Sequence, residues 1–144
     1  MELRIKRFDE LSPAELYAIL KLRFDVFILE QRCFYNELDG CDRDALHVWI
    51  EDGEGIAAYL RVMERGVRSE YVTIGRVIAV RRREGLGTRV MKEGIRAARE
   101  YFGADKIYLE AQDYARAFYE KLGFRPISEP FVEDGIPHVK MLLD

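Results

Sequence analysis

A chain of 144 residues and 16.9 kDa is large enough for one hydrophobic core and too small for two. Apolar residues at 49% and charged residues at 34% exclude a disordered chain, and no apolar run approaches the roughly 20 residues of a membrane-spanning helix. A formal charge of -3 argues against nucleic-acid binding by bulk electrostatics. Cys33 and Cys41 are too few for a disulfide framework, and the start, MELRIKRFDE, carries no apolar signal segment, so a reduced, cytoplasmic protein is expected. Asn occurs once and Gln twice amid abundant charge, a pattern of heat-adapted proteins that the preference for Arg over Lys offsets.

In chain order, residues 2–8 alternate (Leu3, Ile5, Phe8) as a half-buried strand does. Ser12-Pro13 ahead of Glu15 marks a helix start, and Leu16, Ile19, Leu20, Phe24, Phe27 and Ile28 hold a helical face to about Glu30. An irregular acidic loop spans Arg32 to Arg43. Ala45–Glu51 and Gly55–Met63 read as strands joined by an Asp52-Gly53 turn, and Tyr71–Val80 as a longer β-branched strand. A helix over Gly85–Phe102, a strand over Lys106–Ala111, a helix over Tyr114–Leu122 and a short strand at Phe124–Ile127 follow. A polar loop leads to a closing strand near His138–Leu143. The order β-α-β-β-β-α-β-α-β-β predicts an α/β (α+β) fold in one domain over residues 1–144, a mixed sheet of about seven strands with helices on both faces.

The join Arg81-Arg82-Arg83-Glu84-Gly85-Leu86-Gly87-Thr88 leads from the long strand into a helix. Free amides and the positive dipole end of a helix suit an anion, and glycines let a phosphate approach the backbone. The alternative is a tight turn on a solvated basic edge. Neither a third fingerprint glycine nor Gly-Lys-Ser/Thr is present, so dinucleotide-fold and P-loop readings fail.

Arg82-x-x-Gly85-x-Gly87 resembles the R/Q-x-x-G-x-G/A motif of the GCN5-related N-acetyltransferase (GNAT) superfamily. A second block, Gln112-x-x-Ala115-x-x-Phe118-Tyr119-x-x-x-Gly123-Phe124, is similar to that family's N-x-x-A-x-x-L-Y-x-x-x-G-F. Leu22-Arg23, Val26-Phe27, Glu30-Gln31, Cys33, Tyr35, Glu37, Asp39 and His47 resemble the ElaA-type branch, as do Ile74–Val77 and Glu133–His138. Two departures stand out: a shortened loop before the glycine turn, and Gln112 where many relatives carry Asn.

The resemblance implies the GNAT fold and transfer of an acetyl group from acetyl-CoA to a primary amine on a small molecule or peptide. It places the cofactor arm between the strands Tyr71–Val80 and Lys106–Ala111, with backbone groups of Ile78, Ala79 and Val80 beside it. Arg82, Arg83, Glu84, Gly85, Gly87 and Thr88 would hold the pyrophosphate, with Gln112, Ala115 and Phe118 lining the cofactor. Tyr119 takes the position of the general acid; read from its helix face alone, it is a core aromatic. The base is open among Glu110, His138, Glu30 and Asp39. The cysteine, Asp and His spacing between Cys33 and His47 fits no zinc pattern, so no metal is expected, and the acids there read as a solvated loop that attracts a cationic amine. Neither a nucleic acid nor a membrane is implied as partner, and the chain is expected as a monomer or homodimer. Two other readings remain open: a CoA-binding module without turnover, and an acyltransferase using another donor, as acyl-homoserine-lactone synthases do.

Overall fold

The computed structural model describes residues 1–32, 36–81 and 84–144. Four antiparallel strands, β1 (Glu2–Arg7), β2 (Ala45–Asp52), β3 (Gly55–Met63) and β4 (Val72–Ala79), form one half of the sheet. Helix α1 (Pro13–Arg23) joins β1 to β2, and α2 (Leu86–Phe102) carries the chain from β4 to β5 (Ile107–Gln112), which runs parallel to β4. After α3 (Arg116–Lys121) come β6 (Arg125–Pro126), β7 (Phe131–Glu133) and β8 (Ile136–Leu143). The sheet order is β1-β2-β3-β4-β5-β8-β6, with β7 also paired to β8. Eight strands thus stand where about seven were expected. The difference is β7, whose three residues lie in the stretch read as a polar loop and gain strand geometry only from β8.

Local chemistry accounts for the helices. Ser12 Oγ accepts the Glu15 amide while Glu15 Oε1 accepts the Ser12 amide, closing a capping box with Pro13 at the first position. The helix does not continue regularly to Glu30, because from Phe24 the turns widen into a π-helical segment, Phe24–Glu30, closed by Gln31 N–H to Val26 O at 2.9 Å. On α2, Leu86, Val90, Met91, Gly94, Ala97 and Ala98 form the buried stripe over β3 and β4. Gly94 sits so close that a Cβ there would lie 2.7 Å from Leu60 Cδ2. The opposite face of the sheet packs Trp49, Tyr59 and Ile78 against Ile19 of α1. Each such large side chain contributes about 1.5–3 kcal/mol when buried.

The feature that positions the site is a failure of pairing. Strands β4 and β5 meet at only two positions, Val72↔Ile107 and Thr73↔Tyr108, and then diverge. Beyond that point β4 pairs only with β3, and β5 only with β8. A bulge drives the splay: Arg76 and Val77 stand opposite the single residue Leu60, and Arg76 takes a left-handed φ of 55°.

Candidate active site

The splay opens a cleft of about 1270 Å³ through the middle of the sheet, walled by β4 and β5 with α3 and the π-helical segment above and below. Of the site residues expected from sequence, Ile78, Ala79, Val80, Gly87, Glu110, Gln112, Ala115, Phe118, Tyr119 and His138 line it. Glu84, Gly85 and Thr88 stand at the start of α2 outside that lining. Arg82 and Arg83, like Cys33 and Tyr35, lie outside the described residues.

The backbone offer is narrower than expected. Val80 N–H donates to Ala57 O at 2.9 Å, so the antiparallel alternation makes Ile78 and Tyr59 a second bonded pair. Ala79, between them, turns its N–H and C=O away from β3. Of the three residues, Ala79 alone presents both groups toward the open strand edge. The third arginine is also committed elsewhere, because Arg81 pairs with Asp52 at 2.7 Å, Glu84 at 3.2 Å and Glu54 at 3.5 Å.

Gly85 caps α2 with φ of 73°, a conformation that costs glycine little and brings the chain abruptly into the helix. The first intrahelical bond runs from the Arg89 amide to Gly85 O, so the amides of Leu86, Gly87 and Thr88 have no helical acceptor. A Cβ on Gly87 would lie 3.4 Å from Phe118 Cζ and 3.8 Å from Ala79 Cβ, which seats this turn directly between β4 and α3.

Tyr119 packs edge-on against Phe118 and Phe124, with centroids 5.0 and 6.1 Å apart, while still reaching the cleft. The two readings of this residue are therefore compatible: the ring belongs to the core and the residue lines the site. Burial, with a smaller contribution from Tyr114, pushes its phenol well above the ordinary value, so it keeps its proton at every ordinary pH.

The acidic loop is not solvated, which corrects the sequence reading. Glu37 and Asp42 are buried, and Asp39 half-buried, against Arg23, Arg61 and Arg76. Arg23 donates to Glu37 and, at 2.6 Å, to Asp42; Arg61 meets Asp39 at 2.5 Å and Asp42 at 2.9 Å; Arg76 pairs with Glu37 at 2.8 Å. Burial lifts the Asp39 and Asp42 carboxyls, but the arginines outweigh it and hold both below the usual carboxylate range. His47 Nε2 faces Asp42 O at 3.0 Å and its Nδ1 faces Tyr59 Oη at 2.8 Å. The carbonyl can only accept, so Nε2 carries the proton and the Tyr59 hydroxyl donates to Nδ1. These acids therefore balance buried arginines and fix one wall of the cleft, rather than drawing in a cation.

Three contacts had no sequence signal. Gln112 Nε2 donates to Gln31 Oε1 at 3.2 Å, tying β5 to the end of the π-helical segment. Tyr108 Oη donates to Glu110 Oε2 at 2.7 Å, beside Glu133 of β7. His138 Nδ1 donates to Ile136 O at 2.7 Å, and its ring stacks on Phe131.

Comparison with known proteins agrees with this geometry. The family model of an acetyltransferase (GNAT) domain matches residues 10–144. Protein ElaA of Escherichia coli is 38% identical over 137 residues, covering 92% of this chain and 90% of its own length. The crystal structure of ElaA superposes with a TM-score of 0.92 at 35% identity and 99% coverage of both chains. An acyl-CoA N-acyltransferase from Pseudomonas aeruginosa gives 0.93 at 35% identity over the whole of both. In the described residues no helix is long and apolar enough to cross a membrane. An open parallel strand pair, a glycine turn into a long helix and a tyrosine at the cleft wall thus coincide with full-length similarity: the chain belongs to the GNAT acetyltransferase family, in its ElaA-type branch.

Proposed function

We propose that this protein is an N-acetyltransferase that uses acetyl-CoA to acetylate a primary amine of a small molecule or peptide. The observation that carries this reading is the divergence of β4 from β5, which leaves strand-edge backbone groups facing a cleft that Tyr119 also lines. A pantetheine arm is itself a chain of amides and pairs with such an edge as a short strand does. Ala79 is the residue to bond it. The amides of Leu86, Gly87 and Thr88, which have no helical acceptor, with the charge of Arg82 and Arg83, suit a pyrophosphate. Gln112, Ala115 and Phe118 line the path between.

Acetyl-CoA supplies an activated acyl group whose leaving atom is sulfur. The chain's own residues hold that group, exclude water and manage two protons. Tyr119, kept neutral by burial, is the donor to the departing sulfur. Glu110 and His138 stand on the acceptor side of the cleft, where the amine must lose its proton. The test is a thiol-release screen of primary amines and peptides with acetyl-CoA, run alongside longer acyl-CoA donors. Tight acetyl-CoA binding without thiol release from any acceptor favours a binding module. Release only with long acyl donors replaces the acetyl assignment.

A further inference from the structure

One face of β5, β8 and β7 carries a set of ionisable side chains that the acetyl-transfer reading leaves without a full assignment. Side chains two apart on a strand share a face, which aligns Tyr108, Glu110 and Gln112 on β5. The register sets Glu110 beside Lys140, Gln112 beside His138, and His138 beside Phe131, which shares its face with Glu133. Tyr108, Glu110, Glu133 and His138 all line the cleft. Tyr108 holds Glu110 by a 2.7 Å hydrogen bond, and the Glu133 carboxyl abuts that of Glu110. Among the described residues, no Lys or Arg pairs with either carboxyl, in contrast to Glu37, Asp39 and Asp42, which arginines neutralise.

The geometry points to Glu133 as the base that takes the proton of the acceptor's ammonium group, with Glu110, held by Tyr108, as the positioning residue that retains that proton. This rests on the acetyltransferase reading and adds to it the acceptor's form: an alkyl amine that arrives charged. The amine gives one proton to the Glu133 carboxylate, and its freed lone pair forms the C–N bond to the thioester carbon. The C–S bond breaks with its electron pair on sulfur, Tyr119 protonates the sulfur, and the nitrogen's second proton restores Tyr119. Glu133 then returns its proton to solvent.

The groups facing Glu133 agree with that role. Burial and then the neighbouring Glu110 raise its pKa, Asp134 adds to the rise, and His138 opposes it. A carboxylate with a raised pKa is the stronger base near neutrality.

Two probe amines test the assignment: n-butylamine, a cation at neutral pH, and 4-methoxyaniline, already neutral there. Glu133→Gln should lower kcat/KM for n-butylamine by about 10²-fold, the usual loss for a general base, while the aniline loses less than about threefold. Acetyl-CoA affinity by calorimetry should stay unchanged. Equal losses with both amines, or none with either, overturn the proposal. A carbon-13 titration of the glutamate carboxyls needs no turnover: Glu133 should titrate above the ordinary range and fall back toward it in Glu110→Gln. A Glu133 titration that Glu110→Gln does not move overturns the pairing. Wild-type protein that binds no acetyl-CoA overturns the acetyltransferase reading instead.

Discussion

Gly87→Glu separates the cofactor reading from the fold. A Cβ at Gly87 meets the tip of the Phe118 ring at 3.4 and 3.6 Å and Ala79 Cβ at 3.8 Å, ordinary contacts that need little adjustment. Replacing glycine within a helix gains up to about 1 kcal/mol, and an acid in the first turn gains about 0.3–1 kcal/mol, against the small cost of crowding Phe118. Stability should therefore rise by no more than about 2 kcal/mol. Binding is another matter. A carboxylate about 5 Å from a phosphate charge, at an effective dielectric near 20, costs about 3 kcal/mol per charge. Two such charges, halved for solvent screening, still cost about 3 kcal/mol, or about 10²-fold in affinity. Calorimetric titration of CoA, with thermal denaturation as the check on folding, reads both halves of the argument. Gly87→Ala adds the Cβ without the charge and should stay within about threefold of wild type by the same reasoning. Pantetheine, which lacks the pyrophosphate, should bind Gly87→Glu and wild type alike. A folded Gly87→Glu variant with wild-type affinity for CoA refutes the placement of the pyrophosphate at this turn.

Tyr119→Phe keeps the ring against Phe118 and Phe124 and removes only the hydroxyl, so melting should hardly shift while turnover falls by about 10²-fold. Because burial raises the phenol's pKa, its proton stays bound, and the wild-type pH–rate profile should show no loss from Tyr119 ionisation up to about pH 10. Asp42→Ala strips both Arg23 and Arg61 of a buried partner and should cost about 3–5 kcal/mol, read as a thermal midpoint lower by about 10 °C or more. Burial depresses the pKa of His47 below its ordinary value, so the unfolded state binds the proton first. Stability is then fully present above about pH 6.5 and declines as pH falls below it toward the folded pKa, and His47→Gln should flatten the fall of denaturation midpoints below about pH 6.5.

The frame of the molecule was legible because local signals and global packing agree there. The β-branched run before Gly85, the amphipathic stripe of α2 and the Ser12-Pro13 cap each specify their element by sequence neighbours alone. The cleft-facing residues Gly87, Phe118 and Tyr119 were marked by the resemblance to the GNAT motifs, whereas the helix face alone gave Tyr119 as a core aromatic. What was hidden depends on residues far apart in the chain. Arg23, Arg61 and Arg76 come from α1, β3 and β4, and charged residues at such separations read as surface until the fold brings them to the same loop. The π-helical turn shares its apolar residues with an α-helix, so periodicity does not distinguish the two. Strand β7 is three residues long, and Glu133 entered the sequence reading only as the start of the stretch Glu133–His138 that resembles the ElaA-type branch, with no role attached. The Val80 amide carries no side-chain signal at all.

The bulge and the buried ion network are two halves of one device. A left-handed non-glycine residue costs of order 1–3 kcal/mol and persists only where its surroundings over-determine it. At Arg76 those surroundings are Glu37 and Asp39, which the same arginine meets at 2.8 and 3.4 Å. Straightening β4 would remove the extra residue and, because side chains alternate, turn Arg76 away from these carboxylates. It would also turn the Ala79 N–H and C=O, now facing away from β3, back toward that strand and out of the cleft. The carboxylates reach Arg76 only because Arg23 and Arg61 neutralise the rest of their charge at full burial. An apolar filling of the same volume would pack as well or better, but it would not hold one residue in a strained conformation. The charged cluster thus holds the strand bent, and the bent strand leaves its edge open to a ligand.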